Sequence, residues 1–427
     1  MLLALVTLAT MNTNQIAKPN SFVSQFRTYL IAAVLGVVVG LIVCGFIWAV
    51  STLKDLLWQN QDWNYNGWTV FAICLIGGLI VGLINFSSRG NAESMHDLDE
   101  AFEEVQQAEA NEIPKFSKIL QRITLGISSL GFGGPLGPEA PIIEIASGLS
   151  ARMAGLLKLA RSQAVNLSLA GALGGLFGAP LALATSEFRQ GEEPKPSSWK
   201  LLNLGPEIVA GVSAFLVFKN LLPGNGFHVF ESSVAPAETL FIQNLFLIVI
   251  VSLVVSTWIR LIVDVIAKVH NVLWKHLPGG AITAGLLSGA VLGIGGMTNK
   301  LVLFSGHHEI QELLDASHSW KFLIGVMLLK VIVLVACLAG GWFGGQIFPM
   351  AFIGATIALS LGDLVTSSDA LLLAGVGFVA AVNVSLRRPI LSIILGLLFF
   401  PPETWLALML AVGCSMPFVS GRNQQIH

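Results

Sequence analysis

This 427-residue chain has little charge. Asp, Glu, Lys and Arg make up only 11% of it, about half the share usual in soluble domains, while 54% is hydrophobic. The shortage excludes an ordinary water-soluble globule, and a mean hydropathy of +0.76 agrees with an integral membrane protein. No basic excess is present. Net charge is -2 and pI is near 6.4, which gives no reason to expect nucleic acid as a partner. Cysteine is sparse: Cys44, Cys74, Cys337 and Cys414 lie in apolar stretches without CxxC spacing and read as inert buried thiols. HExxH and GxSxG are missing, and Glu312 stands where the second zinc-binding histidine after His308-Glu309 would fall. His307-His308-Glu309 therefore reads as loop, and neither an enzyme nor a bound metal or cofactor is expected. Tyrosine occurs twice, as Tyr29 and Tyr65, both near the start.

What the chain does have is long uncharged intervals. Residues 28–53, 63–88, 162–186, 239–259 and 331–362 contain no Asp, Glu, Lys or Arg. Each is long enough to cross a hydrocarbon core, which takes about 20 helical residues. The intervals 123–138 and 389–402 are too short to span and are broken by Gly or Pro. Such broken segments are tolerated at membrane depth only inside protein or around a watery cavity. Met1 to Thr10 is apolar but lacks a basic n-region, and reads as an upstream start ahead of Met11 or as a short amphipathic head. The insert 89–118 is acidic and reads as solvated helix and loop. Trp58, Trp63, Tyr65 and Trp68 fit an interfacial aromatic belt.

An internal repeat organises these segments. Pro141 and Pro180 lie 39 apart and Pro349 and Pro389 lie 40 apart, so a shift of 208 or 209 carries the first pair onto the second. The same shift sets Phe132-Gly133-Gly134 against Phe343-Gly344-Gly345 to within a few residues, and Leu169-Ala170-Gly171 near Leu373-Ala374-Gly375. The expected organisation is an N-terminal cytoplasmic segment 1–27, a first transmembrane half 28–221, a linker 222–237, a second half 238–421 and a tail 422–427. Paired halves with interrupted helices at matching positions point to a binding site near the bilayer midplane.

In both halves a Gly-rich turn precedes a short helix, at Gly133 to Pro141 and at Gly344 to Pro349. Helix N-termini present unpaired N–H groups and partial positive charge, so two converging at mid-membrane would hold a small anion without a buried cation. Glu139 sits in the first turn, where its carboxylate would compete with that anion. A charge at membrane depth is expensive and is kept where it faces protein or water, which makes Glu139 the leading functional residue. Glu144 reads as a helix-face acid. Lys330, Arg260 with Asp264, and Arg387 with Arg388 read as cations that snorkel or pair at interfaces.

These residues carry a family resemblance. Leu136-Gly137-Pro138-Glu139-Ala140-Pro141 resembles the GREGP motif of the CLC chloride channels and proton-coupled exchangers, with Pro138 for Arg and Ala140 for Gly. Gly345-Gln346-Ile347-Phe348-Pro349 resembles their GxFxP motif, with the aromatic moved one place so that Ile347 holds the usual Phe position. Phe177-Gly178-Ala179-Pro180-Leu181-Ala182 and Leu386-Arg387-Arg388-Pro389-Ile390-Leu391 resemble FNAPLAG and RxPLTG. The resemblance spans about residues 28–420. It implies an all-α, polytopic fold of two inverted-repeat halves, a homodimer with a pore in each subunit, and a place in a bacterial plasma membrane. Carried over residue by residue, Glu139 is the gate, and Gly137, Pro138, Ala140, Ile347 and Phe348 line the anion.

The departures matter as much. The GSGIP segment, whose serine contacts the central anion, has only Ser94 as a candidate, and the late tyrosine of the family is missing. Gln190 stands where exchangers carry an inner proton-transfer glutamate, with Glu187 one turn earlier as a possible relay. The expected function is therefore passive conduction of small chloride-like anions. Proton-coupled exchange, or transport of another small solute, is the alternative.

Overall fold

In a computed structural model, the described residues are 22–58, 67–87, 115–178, 205–222, 229–231, 237–276, 280–316, 318–365 and 369–419. Among them there are no strands, only α-helices, short 3-10 turns and one isolated bridge. In chain order the helices are α1 (Phe22–Trp58), α2 (Gly67–Ser87), α3 (Phe116–Gly131), α4 (Glu139–Leu157) and α5 (Arg161–Phe177). Next come α6 (Gly205–Leu221), α7 (Ala237–His276), α8 (Gly280–Thr298), α9 (His307–Asp315) and α10 (Trp320–Ala339). The last four are α11 (Ile347–Leu364), α12 (Ala370–Leu386), α13 (Pro389–Phe399) and α14 (Trp405–Ser415). Seven helices among the described residues are long and apolar enough to cross a membrane. The chain is a polytopic, all-α membrane protein.

Two compact units emerge. The first takes α1 as far as Trp48, α4 from Ile142, and α5 and α6. Its core is built on small residues: Ala32, Leu35, Leu167 and Ala210 pack together. A methyl added to Gly36 would overlap the Ala210 backbone, and one added to Gly174 the Gly211 backbone. Without a hydrophobic gain from leaving lipid, helices associate by such close backbone approach.

The second unit holds the rest of α1, α2, α3 after Leu120, the turn to Pro141, and α7 to α14. It uses the same device in repeated form. Gly78 and Gly82 of α2, four apart, meet Gly285 and Gly289 of α8, also four apart, and the two backbones touch there. In its centre α11 is buried along almost its whole length, against α12 through Gly354 and Gly377. By contrast α7 leaves Ile242, Phe246 and Leu261 exposed, an apolar face suited to lipid.

The structure differs from the sequence reading at several points. The uncharged interval 331–362 is not one span: it breaks between Ala339 and Ile347, where α10 ends and α11 begins. The helices after the two Gly-rich turns are of spanning length, 19 and 18 residues, where short ones were expected. His307-His308-Glu309 is the first turn of a helix, because Gly306 in the left-handed region (φ 97) starts α9 and Ile310 and Leu313 bury one face. Trp58 is not interfacial. It is buried, donates its indole N–H to the Gly131 carbonyl at 3.0 Å and meets the Phe304 ring edge-on. Trp68 is exposed as expected, while Trp63, Tyr65 and the insert through residue 114 lie outside the described residues.

Candidate functional site

Two Gly-rich turns of the second unit form the site, and they are built alike. The first follows α3. Gly133 adopts φ 89, which an L side chain rarely takes, and Gly134 N–H donates to the Ser129 carbonyl at 3.0 Å. The second follows α10. Gly341 adopts φ 83 and Trp342 N–H donates to the Cys337 carbonyl at 3.0 Å. Each residue of the second turn is the first-turn residue shifted by 208, the shift read from the prolines. At their tips the turns join, with Gly137 N–H donating to Gly345 O at 2.8 Å and Gly345 N–H to Gly137 O at 2.7 Å. Gly137 and Gly345 are equivalent under the same shift, so the bridge lies where a local two-fold axis would pass. The Ser129 hydroxyl accepts from Phe343 N–H at 2.9 Å and ties the turns a second time.

The equivalence ends at the side chains. Glu139, the first residue of α4, corresponds to Ile347, the first residue of α11. The Glu139 side chain is fully buried and crosses to the other turn. Its Oε1 accepts from Ile347 N–H at 3.0 Å, and the amides of Phe348 and of Glu139 itself also donate to the carboxyl. Its Oε2 has no hydrogen-bond partner among the described residues. A methyl built on Gly137 or on Gly345 would overlap the carboxyl, so both bridge residues must be glycine for it to fit. The N-termini of α4 and α11 thus converge on one carboxyl group, in the arrangement in which unpaired amides and the helix dipole hold an anion.

Of the residues singled out in the sequence, the structure brings Glu139, Gly137, Ala140, Ile347 and Phe348 together, all buried. Pro138 is partly exposed and, as proline, has no N–H to offer. Ser94, Glu187 and Gln190 lie outside the described residues. Glu144 is partly buried, and Arg260 pairs with Asp264 at 3.7 Å. No group of three metal-ligating side chains occurs among the described residues.

The sequence reading missed what stands behind the first turn. Phe304, at φ 54, donates its N–H to the Gly133 carbonyl at 3.0 Å, so the strap Leu301–Phe304 holds that turn. Lys330 does not snorkel. It is fully buried, and its Nζ donates to the carbonyls of Phe304 at 2.8 Å, Leu303 at 3.0 Å and Leu301 at 3.3 Å. Nearby, His307 Nδ1 meets the Ser305 hydroxyl at 2.6 Å, and its ring lies 5.0 Å from that of Phe348. Burial, reinforced by His308, Lys54 and Lys330, holds the His307 imidazole well below its ordinary titration range. A carbonyl cage has no composition signal, which is why hydropathy alone left Lys330 at an interface.

Known proteins resemble this chain in sequence and in fold. The family described as voltage gated chloride channel matches residues 90–420. A protein named for ion transport, YfeO of Escherichia coli O17:K52:H18, is 29% identical over 400 residues, covering 89% of this chain and 90% of the relative. Its Shigella flexneri counterpart is 28% identical over 401 residues, with the same coverage. Among solved structures, the fold is similar to a slow cyanobacterial Cl-/H+ antiporter, with a TM-score of 0.76 and 19% identity over 92% of this chain and 94% of that one. It is also similar to a CLC-type fluoride/proton antiporter, with a TM-score of 0.72 and 16% identity over 93% and 98%.

Proposed function

We propose that this chain, which belongs to the voltage gated chloride channel family, moves small monovalent chloride-like anions across a membrane along a path closed by Glu139. The observation that carries the reading is the Glu139 carboxyl seated on the amides of Ile347 and Phe348. Those amides are the donors an anion would use, so acid and anion compete for one place. When the acid takes a proton or swings away, the N-termini of α4 and α11 are free for the anion. Family membership places the chain among transport proteins, not enzymes.

Two readings of the energetics have support. Passive conduction rests on Gln190, which cannot titrate, at the position of the inner proton-transfer acid. Proton-coupled exchange is favoured by the similar structures, both described as antiporters with protons. Glu187 is then the inner relay. Proton uptake driven by a chloride gradient in sealed vesicles separates them. No uptake supports conduction. Uptake abolished by Glu187→Gln supports exchange through that residue, and uptake persisting in the variant supports exchange through another group. The family resemblance further supports a homodimer, each subunit with its own path, and the relatives from Escherichia and Shigella support a bacterial plasma membrane.

A further inference from the structure

We propose that Lys330 is the fixed cation of the anion path: its buried ammonium, faced by three backbone carbonyls and, among the described residues, by no carboxylate within ion-pair distance, raises anion affinity at the N-terminus of α11. The inference rests on the reading of Glu139 and the α11 amides given above, and it names the residue that sets their strength.

Lys330 is fully buried on α10. Its three protons are spent on the carbonyls of Leu301, Leu303 and Phe304, and the Phe352 ring lies 5.0 Å from Nζ. Carbonyl dipoles offset the loss of hydration but leave the net charge in place. Among the described residues no carboxylate comes within 4 Å of Nζ. Among the described residues the acid whose attraction reaches it is Glu309 of α9, and Glu309 also draws Lys54 of α1, whose ammonium sits 4.1 Å over the Phe304 ring. One carboxylate thus serves two ammoniums. The other titratable groups facing this cluster are His307 and His308 on α9 and Cys337 on α10. The His307 ring is held neutral, so it does not cancel the excess.

The geometry aims this charge at the site. Phe352 stands four residues after Phe348 on α11, a rise of about 6 Å, which puts the ammonium on the order of 10 Å from the amides that hold Glu139. At an effective dielectric of about 20, a unit charge at that distance changes anion affinity roughly tenfold. An unpaired ammonium at membrane depth is costly to keep, and ionisable groups kept there mark ion pathways. If Lys330 served only to tie down the strap at Phe304, any side chain donating to those carbonyls would do as well.

The test is chloride and bromide binding to the purified protein by calorimetry, with thermal unfolding recorded alongside. Lys330→Gln keeps a donor but loses the charge, and should weaken both anions about tenfold and by the same factor. Lys330→Arg keeps the charge and should stay within about threefold of wild type, even if it unfolds earlier. Glu309→Gln, which removes the shared acid and does not touch Lys330, should tighten both anions several-fold. Unchanged affinity in Lys330→Gln, equal loss in Lys330→Arg and Lys330→Gln, or weaker binding in Glu309→Gln would each overturn the proposal. Repeating Lys330→Gln in a Glu139→Gln background separates the two readings. The same loss there supports the fixed cation whatever Glu139 does, and no loss there overturns it. A wild-type pH response of flux in Glu139→Gln alone would sink only the gate.

Discussion

The turn from Gly133 to Glu139 and the turn from Gly341 to Ile347 share a backbone and differ in what they carry. Both use a glycine at positive φ, 89 and 83, and matching amide-to-carbonyl bonds of 3.0 Å. Both deliver the chain to a helix whose first turn is buried, and their tips pair through equivalent glycines. Yet the first helix starts with an acid and the second with isoleucine. A repeat of the backbone builds two helix N-termini of the kind that hold anions, and one of the side-chain departures from the repeat, Glu139 for Ile347, supplies the carboxyl that occupies them. Symmetry shapes the site, and in the proposed function asymmetry regulates it.

The comparison can be broken at the bridge. Gly345→Ala would put a methyl where the Glu139 carboxyl sits, in the volume for which acid and anion compete. Chloride flux into vesicles should fall at least tenfold, and Gly137→Ala should behave alike. Flux at the wild-type level in either variant would mean the pocket is not on the path. A smaller effect tests whether the turns are equivalent in energy as well as shape. Gly133→Ala and Gly341→Ala each force a β-carbon into the left-handed region, which costs about 1–2 kcal/mol. Their apparent unfolding temperatures should drop by similar amounts, and a drop in only one would show that the turns are not equally constrained.

Selectivity should respond less still. With no tyrosine in the second half of the chain, the proposed path would rely mainly on the amides of Ile347 and Phe348 as donors. Backbone donors fit nitrate or thiocyanate about as readily as chloride, so competition between these anions should change flux by no more than a few-fold. Strong rejection of either would point to a side-chain filter. The weakest expected effect concerns His307. Its folded-state affinity for protons is depressed below the ordinary 6.5, so the unfolded chain binds the extra proton first as pH falls. Stability is therefore greatest above about pH 6.5 and declines below it. His307→Asn should flatten that decline by at most about 1 kcal/mol, read from unfolding temperatures between pH 7 and pH 6.

Much of this was legible in the chain. The shift of 208 between prolines was enough to set the two Gly-rich turns in register, because glycine and proline positions record turn geometry directly, but the backbone pairing of Gly137 with Gly345 was not foreseen. Glu139 was legible because a charge inside an apolar run is rare. What hydropathy could not report was the partner of a side chain. Lys330 read as interfacial, yet it is caged by carbonyls, which have no letter in the sequence. Trp58 read as a belt residue, yet its indole closes on Gly131 across 73 positions. His307 read as loop because the signal for α9 is one left-handed glycine and two apolar residues three apart, too brief for a periodic pattern.

The central claim is that the Glu139 carboxyl and the transported anion contend for the α11 amides. Its most direct test is chloride flux in reconstituted vesicles as external pH is varied, for wild type beside Glu139→Gln. Flux that rises with acidity in the wild type and is uniformly high and independent of pH in the variant is the predicted result. The same pH dependence in both proteins would contradict it.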